Sequence, residues 1–211
     1  MEFTKELYER MMCVDPAQIG HYIQNGYMSP SIKPVFQKAK IAGPAVTVWM
    51  GGNDNAMLYY AIEHAKPGSV IVVDRGEESV HACCGDVVAL VAQLNGIAGI
   101  VIDGMATDSI GIEELEFPVF CKGFSPITTN LLCQNGLYNV PVQCGGAAVT
   151  PGDIIFGDAD GVIVIPPDRL EDLLVKAEKA NINEAKMKEE FCAGKQMSDY
   201  FPGLHSMVKQ L

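Results

Sequence analysis

The stretch IAGIVIDGMATDSIG, residues 97–111, decides how the chain is read. Its apolar run ends at Asp103-Gly104, which suits a strand buried on both faces that leaves its sheet through a turn. Five residues on comes a second carboxylate, Asp108, preceded by Thr107. A turn accounts for the glycine and one aspartate only. Working outward, residues 86 to about 95 carry a helical pattern, and SVIVVD (69–74) is another apolar strand that ends on a carboxylate. AVTVW (45–49), a turn at 51–54, the helix AMLYYAIEHA (56–65) and the break Pro67-Gly68 complete the same strand–helix–strand grammar. A short helix near 109–115 and the strand PVFCKG (118–123) come next. This alternation predicts an α/β fold with parallel strands.

The grammar changes after residue 138. VPVQCGG, AAVTPGD, DIIFGD and GVIVIP are short extended pieces separated by Gly, Pro and Asp, which predicts antiparallel or mixed sheet. Pro166-Pro167-Asp168 then opens a long charged helix to about Cys192, so residues 1–167 read as the domain and 168–211 as a helical extension. Tyr200, Phe201, Leu204 and Met207 in the tail suggest docking on the core or on another subunit. Near the start, Asp15-Pro16 predicts a capped helix closed by Gly26.

Composition excludes several classes of function. The net charge is -11 and the only arginines are Arg10, Arg75 and Arg169, so nucleic acid is not an expected partner. The charged N-terminus and the absence of a run of about 20 apolar residues point to a soluble cytoplasmic protein without membrane contact. Seven cysteines without a C-x-x-C pair read as reduced, mostly buried thiols.

Parallel strands deliver their C-terminal ends to one edge, where ligand crevices form. Asp74-Arg75-Gly76, Gly85-Asp86-Val87-Val88 and Asp103 to Asp108 would gather there. A helix that starts after Gly85 offers free N–H groups to a carboxylate or phosphate, and acidic residues beside it could hold Mg²⁺. The same residues also have structural readings: Asp86 as a helix-start acid, Asp108 as an N-cap, Asp103 as a turn residue. Spacing leaves the choice open.

The run GDVVALVAQLNGIAGIVIDGMATDSIGIEELEFPVF, from Gly85 to Phe120, resembles the core signature of the RraA-like family, which includes the 4-hydroxy-4-methyl-2-oxoglutarate aldolases. IAGPAVTV, KPGSVIVVD, KGFSP and AVTPGDIIFGDADGVIVIP extend the likeness over roughly residues 14–167. The resemblance implies a swivelling α/β/β sandwich, assembled as a homotrimer or a hexamer built from two trimers, with sites between subunits. A glutamate from a neighbour's C-terminal helix could complete each site. It implies a lyase acting on a small 2-oxo acid, by retro-aldol cleavage or oxaloacetate decarboxylation through a pyruvate enolate. Asp108 would coordinate Mg²⁺ or Mn²⁺, Asp86 would hold a metal-bound water, and Gly85 with the amides of Val87 and Val88 would receive the pyruvyl carboxylate.

The family's aldolase motif places an arginine where this chain has Thr107. A neutral hydroxyl replaces a planar, permanently charged donor, a loss worth about 1.5–3 kcal/mol for one charge-assisted hydrogen bond. Three readings are open. Arg75 could supply the guanidinium from the neighbouring strand, or be a solvated residue paired with Asp74 or Glu77. The substrate could be bulkier or less anionic. Or the protein is a non-catalytic oligomeric binding or regulatory relative. His81, the Cys83-Cys84 pair, Lys122 and the Asp158–Asp160 turn are better explained as packing or surface residues.

Overall fold

The computed structural model describes residues 3–210. The chain opens with two short helices, α1 (Lys5–Met12) and α2 (Pro16–Gly20), followed by the short strand β1 (Lys33–Pro34). The α/β half then runs β2 (Ile41–Trp49), α3 (Ala56–His64), β3 (Val70–Asp74), α4 (Asp86–Leu94), β4 (Gly99–Asp103), β5 (Met105–Ala106), α5 (Ser109–Glu114), β6 (Val119–Cys121) and β7 (Gly123–Phe124). The second half holds β8 (Leu137–Tyr138), β9 (Val142–Cys144), β10 (Ala147–Val149), β11 (Ile154–Gly157) and β12 (Val162–Ile165). It ends in the long helix α6 (Leu170–Cys192) and two short ones, α7 (Met197–Tyr200) and α8 (Leu204–Val208).

One mixed sheet organises the molecule, in the order β1-β6-β4-β3-β2-β11-β12, with β8 pairing the end of β2. Strands β2, β3, β4 and β6 are mutually parallel, and β1, β8, β11 and β12 run antiparallel to their neighbours. Period-two alternation sends Ile71, Val73, Ile100 and Ile102 toward α3, α4 and α5, where they pack with Leu58, Ala61, Ala89 and Ala92. Val70, Val72 and Val101 face the other way, against Val142, Cys144, Ala147 and Val149 of the β9–β10 ribbon. Each such aliphatic side chain, withdrawn from water, contributes about 1.5–3 kcal/mol. The layers are therefore helix, sheet and ribbon, an α/β fold with a mixed sheet and a long C-terminal helix.

Two expectations are corrected near the N-terminus. The helix begun by Asp15-Pro16 stops at Gly20 rather than at Gly26. Gly26 instead has φ +82 and lies against β12: its carbonyl accepts from Val164 N at 2.6 Å, and Val164 O sits 2.5 Å from where a Cβ would be. The helix α1 is an addition to the expected elements, although Thr4 caps it through Leu7 N and Leu7 and Met11 form its buried stripe. Arg10 of α1 reaches Glu178 (2.7 and 3.0 Å) and Glu171 (2.8 Å) on α6. The first two turns of α6 share a core with these helices through Leu170, Leu173, Leu174 and Ala177, whereas Ile182, Phe201 and Met207 are exposed. No described helix is long and apolar enough to cross a membrane.

An irregular segment, residues 125–136, crosses the C-terminal end of the sheet and is held by one carboxylate. Asp54, 1% exposed, accepts from the backbone N–H groups of Leu132 (3.1 Å), Cys133 (3.2 Å), Gln134 (2.6 Å) and Asn135 (3.3 Å), and from Ala56 (3.1 Å). Burial alone would raise its pKa, but these N–H groups together outweigh burial and hold it well below the ordinary carboxylate value. A depressed folded pKa stabilises the fold above the unfolded value of about 4, and that contribution is lost as pH falls toward the folded value. Asp54→Asn should therefore cost at least about 3 kcal/mol at pH 7 and reduce the loss of stability below pH ~4. Urea unfolding across pH checks this, and identical pH dependence in the two proteins would contradict it.

Candidate active site

The site is set by a short extended segment, residues 82–84, threaded between two others. Cys83 N donates to Met105 O (3.1 Å), Thr107 N donates to Cys84 O (2.9 Å), and Cys84 pairs with Ala106 as a parallel bridge. On its other side, Ala82 N donates to Ile127 O (2.8 Å) and Thr129 N to Ala82 O (3.0 Å). This pairing fixes the N-terminus of α4, which comes after residue 84, against the N-terminus of α5, which comes after residue 107. Gly85 is the N-cap of α4 and Asp108 that of α5.

The two helix starts interlock through glycine. A Cβ on Gly85 would collide with Asp108 Oδ2 and lie 3.0 Å from Thr107 Cγ2. A Cβ on Gly111 would lie 2.7 Å from Asp86 Oδ2. Each carboxylate thus occupies the side-chain space that a glycine of the facing segment leaves open. Asp108 has φ 53 and ψ 44, a left-handed conformation that costs a residue with a Cβ about 1–2 kcal/mol. Its carboxylate does not cap α5. It is exposed, turned toward Gly85, and accepts from Thr107 Oγ1 at 3.3 Å. Asp86 Oδ1 accepts from its neighbour Val87 N at 2.7 Å, while Val88 N has no acceptor among the described residues. The left-handed Asp108, its carboxylate free of capping, thus lies beside a partly open helix N-terminus, an arrangement able to receive an anion.

The donor set suits a hard divalent cation. Among the described residues no three His, Cys, Asp or Glu side chains cluster to form a closed cage. Asp86 and Asp108, each set against the facing helix start, offer carboxylate oxygen, and Mg²⁺ and Mn²⁺ accept one or two carboxylates while keeping water ligands. Next to Asp86 is a cleft of about 220 Å³ lined by Val87, Leu90, Gly111, Glu114 and Leu115. Glu114 is a residue that sequence reasoning missed, although Gly111, Glu114 and Leu115 recur at the three- and four-residue spacing of one helix face.

The other carboxylates of the sequence constellation do not join. Asp74 and Asp103 are in register on β3 and β4 and, by alternation, point to the ribbon side with Val72 and Val101. Asp74 accepts from Gly76 N (2.7 Å) and Gln143 N (3.1 Å), and Asp103 from Gly145 N (2.9 Å) while pairing with Lys122. Arg75 also departs from both of its expected roles. It is fully buried, neither solvated nor paired with Asp74 or Glu77, and donates to Gly52 O (2.6 Å), Met50 O and Asp54 O (both 3.4 Å). Its stem crosses Gly104, where a Cβ would lie 2.7 Å from Arg75 Cγ. A guanidinium consumed by three carbonyls cannot clamp a substrate without dismantling the 50–54 turn.

His81 is held by Glu78 (3.2 Å), whose carboxyl is lowered to about 2 by the backbone N–H groups of His81 and Val80. Burial pushes the Cys83 thiol up to about 12 and the Cys84 thiol well above its ordinary range, which leaves neither suited to nucleophilic attack. Asp158 and Asp160 form a turn in which Asp160 N donates to Asp158 Oδ1 (2.9 Å).

Comparison with known proteins bears on the family and the fold. Residues 13–164 match the RraA-like family, described as Aldolase/RraA. A protein of Halalkalibacterium halodurans, provisionally named as a 4-hydroxy-4-methyl-2-oxoglutarate aldolase, is 40% identical over 157 residues, 74% of each chain. An uncharacterised protein of Methanocaldococcus jannaschii is 36% identical over 170 residues, covering 80% of this chain and 81% of the other. Among solved structures, Streptomyces coelicolor RraAS2, described as an unusual member of the RNase ES inhibitor RraA protein family, superposes with a TM-score of 0.78 at 27% identity. That match covers 90% of this chain and 100% of the other.

Substitutions at two positions test this arrangement. Asp108→Gly should be more stable than Asp108→Ala by about 1 kcal/mol, because only alanine keeps a Cβ in the left-handed region. Equal stabilities in urea would remove the strain from the account. Arg75→Ala should lose about 3–5 kcal/mol, since it opens a cavity and strands buried carbonyls. A variant that unfolds at the wild-type midpoint would show that the buried clamp contributes nothing.

Proposed function

The chain belongs to the RraA-like family, and from that premise we propose that it is a divalent-metal-dependent lyase that releases pyruvate from a small 2-oxo acid. Similarity to a provisionally named aldolase supports the lyase class. The observation that carries the proposal is the pair Asp86 and Asp108, each seated over the other segment's glycine at a partly open helix N-terminus.

Asp108, with Asp86 beside it, would hold Mg²⁺ or Mn²⁺. The ion, when bound, would draw electron density from the 2-oxo group. The chain's own residues do the rest. Val88 N–H receives a carboxylate oxygen, and Val87 N–H joins it once Asp86 Oδ1 turns away to the cation or to a proton. The lack of a Cβ at Gly85 lets the Asp108 carboxylate lie against this backbone. Asp86 is placed to accept a proton from the substrate and return it to the pyruvyl carbon. Thr107 gives its single O–H to Asp108 and so steadies that carboxylate.

Assembly as a homotrimer or a hexamer fits the exposed apolar side chains on and near α4: Val87, Leu90, Val91 and Leu94, with Phe124 and Ile127 on the segment after β6. A second reading, a non-catalytic regulatory relative, is favoured by one observation, the absence of the motif arginine at Thr107.

The deciding assay is pyruvate release from oxaloacetate, 4-hydroxy-4-methyl-2-oxoglutarate and 4-hydroxy-2-oxopentanoate, with Mg²⁺, with Mn²⁺ and after EDTA. At least one substrate should be turned over in a metal-dependent manner, with loss of at least about a hundredfold in Asp108→Ala. Absence of turnover with every substrate and both metals, in wild type and in Thr107→Arg, would establish the regulatory reading.

A further inference from the structure

The segment 82–84, which leads into α4, has three carbonyls, and they are not held alike. Ala82 O accepts from Thr129 N (3.0 Å) and from Thr129 Oγ1 (3.3 Å), and Cys84 O accepts from Thr107 N (2.9 Å). Cys83 O, between them, is held by a side chain alone: Asn55 Nδ2 donates to it at 2.9 Å. The N–H of the same cysteine donates to Met105 O (3.1 Å). Cys83 is therefore fixed from two sides, by β5 through its N–H and by the residue before α3 through its carbonyl, two positions ahead of Gly85.

Asn55 serves this bond rather than its own helix. It is the N-cap residue of α3, where an asparagine ordinarily turns its side-chain oxygen back to the first helical N–H groups. Here φ is -118 and ψ is 3, outside the extended conformation that capping uses, and the side chain makes no cap bond. Ala56 N donates instead to Asp54 Oδ1 (3.1 Å). Asn55 Oδ1 is buried and accepts no hydrogen bond among the described residues. An amide oxygen so placed is costly, which leaves the bond from Nδ2 to Cys83 O as what this side chain contributes. The backbone of Asn55 is itself anchored: its N–H donates to Asn130 O (2.9 Å), and its carbonyl accepts from Tyr59 N (3.3 Å). The residue is 2% exposed, so it acts on the site only through Cys83.

We propose that Asn55 is a positioning residue for the reaction: its amide fixes the Cys83 carbonyl, and through it the register that sets Gly85 against Asp108 and Asp86 against Gly111. The effect on catalysis rests on the lyase reading above; the placement of Cys83 does not. Without the amide, Cys83 is tied through its N–H to Met105 only, and the two helix starts are free to shift against each other. A displacement of about 1 Å at a reacting centre can cost about a hundredfold in rate.

The test compares wild type, Asn55→Ser and Asn55→Ala with Leu173→Ala, which opens a cavity in the separate core beneath α6. All are measured at a temperature at which they are fully folded. Amide hydrogen exchange is followed at Cys83 and Thr107, both bonded within the pairing, relative to Ile100 of β4, which donates to Pro118 O (3.0 Å). In both Asn55 variants exchange at Cys83 and Thr107 should quicken at least about tenfold relative to Ile100, and kcat for pyruvate release under Mn²⁺ should fall by about ten- to a hundredfold. Leu173→Ala should leave the exchange ratio unchanged and kcat within about twofold of wild type. An exchange ratio unmoved in the Asn55 variants would overturn the proposal. So would faster exchange with kcat retained, or a loss of kcat matched by Leu173→Ala. Failure of both Asn55 variants to fold would overturn it too, since the residue would then be one the fold itself requires. A wild type that turns over no substrate with either metal would overturn the lyase reading, and the exchange ratio would then decide the placement of Cys83 by itself.

Discussion

The pairing of residues 83–84 with 105–107 is the constraint on which the site depends. Two backbone hydrogen bonds, Cys83 N to Met105 O and Thr107 N to Cys84 O, register the approach to α4 against the approach to α5. Strand geometry then fixes the two helix starts. The residue after Cys84 must be close to the residue after Thr107, and the space between them admits one side chain rather than two. Gly85 yields it and Asp108 takes it. The same exchange one turn further on sets Gly111 under Asp86. A slip of one residue in this short bridge would place a side chain where Gly85 now lies and drive the carboxylates apart. Precision therefore comes from backbone pairing in a segment too short to count as a full strand, anchored below by a parallel sheet with an apolar core on each face.

Much of this was legible in the sequence because strand and helix periodicities are local. The strands at 69–74 and 97–103, the helix from Asp86 and the antiparallel second half all arise from the spacing of apolar residues and from Gly and Pro punctuation. That Asp86 and Asp108 both stand at helix starts, one on α4 and one before α5, has the same origin. What could not be read was which face each strand-end residue would choose. Asp74 and Asp103 end their strands at the same edge as the site, yet alternation with Val72 and Val101 turns them to the ribbon, where backbone N–H groups from the β9–β10 region take them up. That ribbon lies some forty residues further along the chain than Asp103. No local pattern announces a partner so distant.

Arg75 illustrates the same limit more sharply. An arginine after a strand reads as a surface residue or a substrate clamp, because its charge is costly to bury. Here the turn at 50–54 presents three carbonyls inward, and the guanidinium satisfies them with a planar array of donors that no lysine could match. Asp54, in the same turn, uses its carboxylate in the opposite sense, collecting five backbone N–H groups from residues 56 and 132–135. One turn is thus held from beneath by a cation and itself holds the next loop by an anion. The two charges act through backbone dipoles rather than through an ion pair, since among the described residues no salt bridge joins their side chains.

This division of labour explains why the missing motif arginine is not replaced from within the chain. A guanidinium can serve a substrate only if its protein partners leave some donors free and its position admits solvent. Arg75 fails the second condition: it is fully buried, so even its unpartnered Nε meets no solvent, and releasing its other donors would remove the support of the turn that carries Asp54, and through Asp54 the segment 125–136 that flanks residues 82–84. The architecture that aligns Gly85 with Asp108 therefore consumes the one arginine close enough to help. In the proposed lyase a substrate would meet what remains: a cation held by the two carboxylates, and the helix N–H groups of Val87 and Val88, so that the cation and the backbone would direct the chemistry.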